Sequence, residues 1–210
     1  AYEIRPRDWS SDVCSSDLAA GFWELARSPA FPLRAIEVTG QMEHVRRAQV
    51  VNALQGQVSG TFFTTDLEYL RQRFQTIPWV RHAEVRRRWP DRLEVRMEEH
   101  LPMARWGQPE EQRLVNNHGE VFSAPYGEIE MALPQFSGPA GTARDVGRRY
   151  AAFSGILEPL QLQPRTVILS PRYSWQLRLS NGLAVQLGRE SDKDGIESRL
   201  ARFVAAYPVR

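Results

Sequence analysis

The sequence predicts an α+β fold arranged as two small domains, and three features predict it. From Gly60 to Gly107 the chain reads as one amphipathic helix followed by one β-hairpin. A short strand and another helix precede it, so the order is strand, helix, helix, strand, strand. After Leu101 the pattern changes to short strands and turns, with two more apolar helix faces among them. Helices grouped on one face of a mostly antiparallel sheet make the α+β class. A length of 210 residues allows one large or two small domains, and 42% hydrophobic residues supply material for real cores.

Each element of the first half has a local cause. Residues 33–40 (LRAIEVTG) read as a strand ended by a glycine, and residues 44–54 as a helix with Val50, Ala53 and Leu54 on one side. Thr65 and Glu68 have the S/T-x-x-E spacing of a capping box, and Asp66 adds negative charge at the helix start. Leu67, Leu70 and Phe74 then recur at i, i+3 and i+7 as one apolar face. Ile77-Pro78 ends the helix, because the residue before proline avoids the α region. Residues 80–89 read as a strand, and Trp89-Pro90-Asp91-Arg92 as a turn with proline at position i+1. Leu93, Val95 and Met97 alternate with Arg92, Glu94, Arg96 and Glu98, which gives one buried face and one wet face.

In the second half, Asn116-Asn117-His118-Gly119 joins Leu114-Val115 to Val121-Phe122 as a hairpin. Residues 134–141 read as a loop. Val146, Tyr150, Phe153, Leu157 and Leu160 mark an amphipathic helix, and residues 166–169 a strand. Trp175, Leu177 and Leu179 alternate, Ser180-Asn181-Gly182 turns, and Leu183, Val185 and Leu187 alternate back. This is the strongest hairpin signal in the chain. Ile196, Leu200, Phe203 and Tyr207 form a last helix face, stopped by Pro208.

Composition narrows the function. With 25% charged residues and a formal net charge of +2, the chain has the balance of neither a disordered protein nor a polyanion binder. Lys193 is the single lysine among many arginines. The one cysteine, Cys14, allows no intramolecular disulfide. No apolar run approaches the ~18 residues of a bilayer span. His44, His82, His100 and His118 are scattered, with no i, i+4 pair and no acid or cysteine cluster at metal spacing, so neither metal nor cofactor is expected. GPAGT, from Gly138 to Thr142, lacks the ending of a P-loop and reads as a loop leading to a helix N-cap at Thr142. Ser191-Asp192-Lys193-Asp194-Gly195 has too few oxygens for an EF-hand and reads as a turn with acids at a helix start. No G-x-S-x-G is present, and no catalytic residue is expected.

The basic run Arg86-Arg87-Arg88, near Trp89 and Arg92, is split by strand parity. Arg87 shares a face with Ala83, Val85 and Trp89, while Arg86 and Arg88 point the other way. The run reads as a solvated hairpin face whose arginines sit opposite Glu94, Glu98 and Glu99, and edge arginines discourage stray pairing. Neither a nucleic acid nor a small-molecule substrate is expected.

The element order of the first half resembles a POTRA domain. The strings FPLRAIEVTG, GTFFTTDL, IPWVRHAEVRRRWPDRLEVRMEEHLPMARW and LVNNHGEVF, in this order between about Phe31 and Tyr207, resemble the FtsQ family of bacterial cell-division proteins. The resemblance implies a POTRA domain over residues 31–99. It implies an FtsQ-type β domain over 100–210, with two helices and with the family's final strands lying past Arg210, so that a sheet edge is left open. It further implies a non-enzymatic scaffold of the division machinery, held in the cell inner membrane by a single helix, with both domains in the periplasm at the septum. The implied partners are FtsB and FtsL, through which early and late division proteins are linked and septal wall synthesis is regulated. Arg172, in SPRYSWQLRL, matches a family arginine that pairs with an acid of FtsB; it also reads as a solvent arginine in a strand-entry turn. Tyr207 lies close to the same family surface and also reads as core packing. The alternative is a POTRA-bearing component of outer-membrane assembly or secretion. Either would recruit an extended partner by strand addition to an exposed sheet edge.

Residues 1–18 show no helix or strand period, and RDWSSDVCSSDL resembles a translated sequencing adapter. They are expected to be foreign to the natural protein and carry no fold argument, which sets Cys14 aside. Residues 19–30 are expected to be a membrane-proximal segment. Phe22, Trp23 and Arg27 suit the outer end of a transmembrane helix that this chain lacks; the alternative is a linker with two exposed aromatics.

Overall fold

The computed structural model describes residues 32–55, 60–129, 132–191 and 194–207. The expectations for residues 1–18 and 19–30, for Asp192 and Lys193, and for Pro208 as a helix stop lie outside them. The chain forms two compact units that divide between Glu98 and Glu99.

The first unit runs β1 (Ala35–Thr39), α1 (Arg47–Leu54), α2 (Leu67–Gln75), β2 (Val80–Arg88) and β3 (Arg92–Glu99). Its sheet has the order β1-β3-β2. β1 lies parallel to β3, with Ala35 opposite Arg92 and Thr39 opposite Arg96. Gly40 ends β1 at a φ of +146°, and a Cβ there would collide with the carbonyl oxygen of Met97, so the strand ends on glycine. The alternation on β3 buries Leu93, Val95 and Met97. α2 packs Leu70 and Phe74 against β2, each contributing ~1.5–3 kcal/mol relative to an exposed side chain. Trp79 is fully buried, with His44 stacked on it at 4.0 Å. α1 begins at Arg47 rather than at His44: Arg46 is its extended N-cap residue, and the Arg46 N–H donates to Gln49 Oε1 at 2.9 Å.

Two local expectations are corrected. The α2 cap is Asp66, whose Oδ1 accepts the Tyr69 N–H at 3.0 Å. Thr65 is buried and donates its hydroxyl to the Thr61 carbonyl at 2.7 Å, while Glu68 is engaged by Arg71 and Gln72. Thr65 and Asp66 are both good caps, and the buried turn before the helix claims the threonine. The arginine run also finds other partners than Glu94, Glu98 and Glu99. Arg86 pairs with Glu84 at 2.5 Å, and Arg88 reaches Glu37 on β1 at 3.3 Å. Arg87 is turned to the helix side. It donates to the carbonyls of Phe62 at 2.8 Å, Phe63 at 3.0 Å and Thr65 at 2.8 Å. Hairpin neighbours alone do not decide these pairs, because β1 and the loop before α2 bring competing acceptors.

The second unit runs β4 (Pro102–Trp106), β5 (Arg113–Asn116), β6 (Val121–Ser123), β7 (Gln135–Ser137), α3 (Ala143–Leu157), β8 (Pro164–Leu169), β9 (Ser174–Leu179), β10 (Ala184–Arg189) and α4 (Ile196–Ala206). Among the described residues seven strands form one sheet in the order β10-β9-β8-β7-β4-β5-β6. β7 lies parallel to both its neighbours, and the other pairings are antiparallel. α3 is the crossover that parallel β7 and β8 require. It packs on β7 and β8, and α4 packs beside it on β10. Phe136, Val146, Phe153, Leu157, Val167, Ile196 and Leu200 join in the core between.

Residues 134–141 are not a loop throughout, which corrects the expectation. They contain β7, at the centre of the sheet, where Phe136 is fully buried opposite Trp106 and Val167. Three residues between Pro134 and Gly138 are too few to show alternation. Thr142 does occupy the N-cap position of α3, but its hydroxyl donates back to the Pro139 carbonyl at 2.7 Å and caps no helix N–H.

Candidate partner-docking surface

The two residues singled out above lie at the two ends of β9: Arg172 in the turn before it, and Tyr207, at the end of α4, against the turn after it. Ser170 builds the turn before it. The Ser170 hydroxyl accepts the Ser174 N–H at 3.0 Å, and its carbonyl accepts the Tyr173 N–H at 2.8 Å. Arg172 lies in this turn, exposed, with no hydrogen bond or ion pair among the described residues. Beside it Tyr173 holds a φ of +57° and exposes 60% of its surface. A left-handed backbone at a tyrosine costs free energy. Tyr173 was missed in the sequence because it falls in phase with Trp175 and Leu177, which are core residues; the left-handed turn breaks that phase and sends the ring outward.

At the far end of β9, Asn181 builds the turn into β10. Its Oδ1 accepts the Leu183 N–H at 3.1 Å, and its Nδ2 donates to the Tyr207 hydroxyl at 3.1 Å. Tyr207 is half-buried at the end of α4, with its ring tilted on Phe203 at 5.4 Å. The six residues of β9 span ~17 Å at ~3.3 Å per residue. Arg172 and Tyr207 thus belong to opposite ends of an elongated surface, not to one small patch.

Among the described residues β10 is the outer strand of this surface, paired with β9. Arg199 from α4 donates to its carbonyls at Leu187 (2.5 Å) and Arg189 (2.8 Å), so an added strand competes with Arg199 there. The register shift between Gln186 and Gly188 further interrupts the edge. Asp194 fixes Arg199 at 3.1 Å and Arg202 at 2.6 Å. Arg202, and after it Arg199, hold the Asp194 carboxyl below its usual range, so this clamp stays ionised. Arg149 on α3 bridges Glu190 at 2.5 Å and Glu197 at 2.6 Å. Among the described residues no group of three His, Cys, Asp or Glu side chains is placed to hold a metal ion. No helix of the described residues is long and apolar enough to cross a membrane.

Comparison with known proteins agrees for both units. Residues 31–100 match the family model for a POTRA domain, FtsQ-type, and residues 104–210 match that for cell division protein FtsQ/DivIB, C-terminal. The chain is 45% identical over 190 residues to the cell division protein FtsQ of Burkholderia pseudomallei (strain K96243), covering 90% of this chain and 75% of that protein. Identity to the FtsQ of Bordetella pertussis (strain Tohama I) is 41% over 209 residues, covering 91% and 76%. To that of Escherichia coli (strain K12) it is 32% over 181 residues, covering 85% and 63%. The POTRA match is of the FtsQ type, and the FtsQ/DivIB match follows it along the chain. Fold, domain order and relatives converge, and the chain belongs to the FtsQ/DivIB family of cell division proteins.

Proposed function

We propose that this chain is the periplasmic part of a non-enzymatic scaffold of the bacterial division machinery. A single N-terminal helix, whose outer end falls near Arg27, anchors the protein in the inner membrane at the septum. It binds FtsB- and FtsL-type proteins, couples early to late division proteins and so regulates septal wall synthesis. The observation that carries this reading is the β9–β10 surface in a chain of the FtsQ family. Among the described residues it offers an outer strand partly engaged by Arg199, an exposed arginine free of partners, and the end of a helix. An extended partner gains affinity from such an edge and selectivity from the side chains around it. Arg172 suits an acidic side chain of that partner, and Tyr207 with Asn181 suits a polar backbone group at the other end.

The test is binding of an FtsB-type periplasmic segment to the protein carrying its natural termini. Arg172→Glu is expected to weaken binding about tenfold or more, because a charge pair becomes a like-charge contact. The melting temperature should hold. A melting temperature that falls together with affinity makes Arg172 structural, and unchanged affinity removes it from the interface.

A further inference from the structure

Trp89, in the β2–β3 turn, is 78% exposed, more than any other large apolar side chain among the described residues. A single exposed ring needs no explanation by itself, but its place in the unit does. β1 lies parallel to β3, so the start of β1 stands beside this turn. The Arg34 N–H donates to the Asp91 carbonyl at 2.9 Å, and the Arg34 guanidinium lies 3.6 Å from the Asp91 carboxylate. The chain therefore enters the unit at the Trp89 turn and leaves it at the opposite end of β3. The tip is also basic: Arg34, Arg86, Arg87, Arg88, Arg92 and Arg96 outnumber Glu37, Glu84, Asp91 and Glu94. Arg34, Arg86 and Arg88 keep most of their side chains in water despite their ion pairs.

We infer that the Trp89 turn is a lipid-contacting tip, seated in the headgroup layer of an anionic bilayer beside the point where the chain emerges from it. This inference rests on the anchored reading above. From Arg27, the expected outer end of the anchoring helix, to Arg34 the chain reaches at most ~25 Å. That tether keeps the tip at high effective concentration near the surface, so a small contact suffices. Indole and guanidinium are the chemistry of that layer: the ring is amphipathic and favours the interface, and the cations favour anionic headgroups. The tip would fix the tilt of the first unit on the membrane, holding the exit end of β3 away from it.

The test uses the 210-residue chain attached through an N-terminal hexahistidine tag to vesicles of phosphatidylcholine, phosphatidylglycerol and a nickel-chelating lipid, with brominated acyl chains. Bromine quenches indoles that enter the layer, and comparison with Trp89→Ala isolates Trp89 from the other tryptophans. The expected result is a quenched, blue-shifted component that Trp89→Ala lacks, that shrinks at high salt and without phosphatidylglycerol, and that a C-terminal tag does not produce. Trp89→Ala should keep the parent's melting temperature. Equal quenching in parent and variant overturns the inference. So does Trp89-dependent capture of a protein partner without vesicle quenching, which would make the tip a protein contact. The artificial tether replaces the native anchor, so a negative result leaves the anchored reading standing. That reading fails separately if alkaline carbonate strips the whole gene product from membranes.

Discussion

The guanidinium of Arg87 donates to the backbone carbonyl of Thr65 at 2.8 Å, across 22 residues of sequence. The same fork takes the carbonyls of Phe62 and Phe63, so one side chain on β2 fixes the loop that delivers Asp66 to the start of α2. Arg87→Ala is expected to lower the stability of the first unit by ~1–2 kcal/mol, a partly exposed set of charge-assisted bonds. Arg87→Lys should recover only part of this, because an ammonium lacks the planar fork. Urea unfolding followed in the first unit checks both, and an unchanged midpoint for Arg87→Ala would show that the loop holds itself.

Phe136 anchors β7 in the middle of the seven-stranded sheet. Phe136→Ala should cost ~3–5 kcal/mol in the second unit, the range for emptying a buried aromatic site. Leu183→Ala, at an exposed turn position, should stay within ~0.5 kcal/mol. Denaturant titration of the two variants separates a central strand from a loop crossing.

Gly119 and Gly147 make a paired test along α3. Gly119 has a φ of +77°, and a Cβ would stand 2.5 Å from the Cα of Arg144, where the β5–β6 turn meets the helix. Gly119→Ala should therefore cost ~1–3 kcal/mol. At Gly147 the added Cβ meets only the terminal methyl of Met103, which can swing away. Gly147→Ala should be near neutral, since a helix-propensity gain of ~1 kcal/mol offsets that rearrangement. Thermal melts of the two variants give the comparison.

Glu68 is held down from 4.5 to about 2, first by the side chain of Arg71 and then by that of Gln72. A carboxyl depressed in the folded state contributes stability fully above its unfolded value and loses that contribution as pH falls through the folded value. The window is therefore from 4.5 down to about 2. Glu68 is exposed, so its effect is small and screened by salt. Glu68→Gln should flatten this acid limb while leaving neutral-pH stability nearly unchanged. A pH series of unfolding curves decides it; an unaltered acid limb would assign the depression no energetic consequence.

Because β9 separates Arg172 from Tyr207, their contributions to partner binding should be independent. The losses in Arg172→Glu and Tyr207→Ala are expected to add in the double variant to within ~0.5 kcal/mol. Binding curves for the four proteins measure this. Strong coupling would mean that a partner compresses or rearranges the β9–β10 hairpin.

The sequence by itself determined the elements whose pattern reflects burial of their own side chains. Leu93, Val95 and Met97 on β3, Leu70 and Phe74 on α2, and Phe153 and Leu157 on α3 lie buried as their periodicity required, because each residue's burial is recorded in its own apolarity. Turns at Asn117 and Asn181 were legible for the same local reason: their backbone demands act within a few residues. Tertiary structure decided what depends on a distant competitor. β7 exists because β4 and β8 offer Phe136 a place between them, not because three residues prefer to be extended. Asp66 caps α2 because Thr61 takes the Thr65 hydroxyl, and Arg88 pairs with Glu37 because β1 lies across β3. Arg172 and Tyr207 were pointed to by the family resemblance, but their separation along β9 was not legible, and the exposure of Tyr173 was hidden by its own phase. A pattern states which face of an element seeks burial; which distant groups meet there is settled only when many such faces compete for one another in three dimensions.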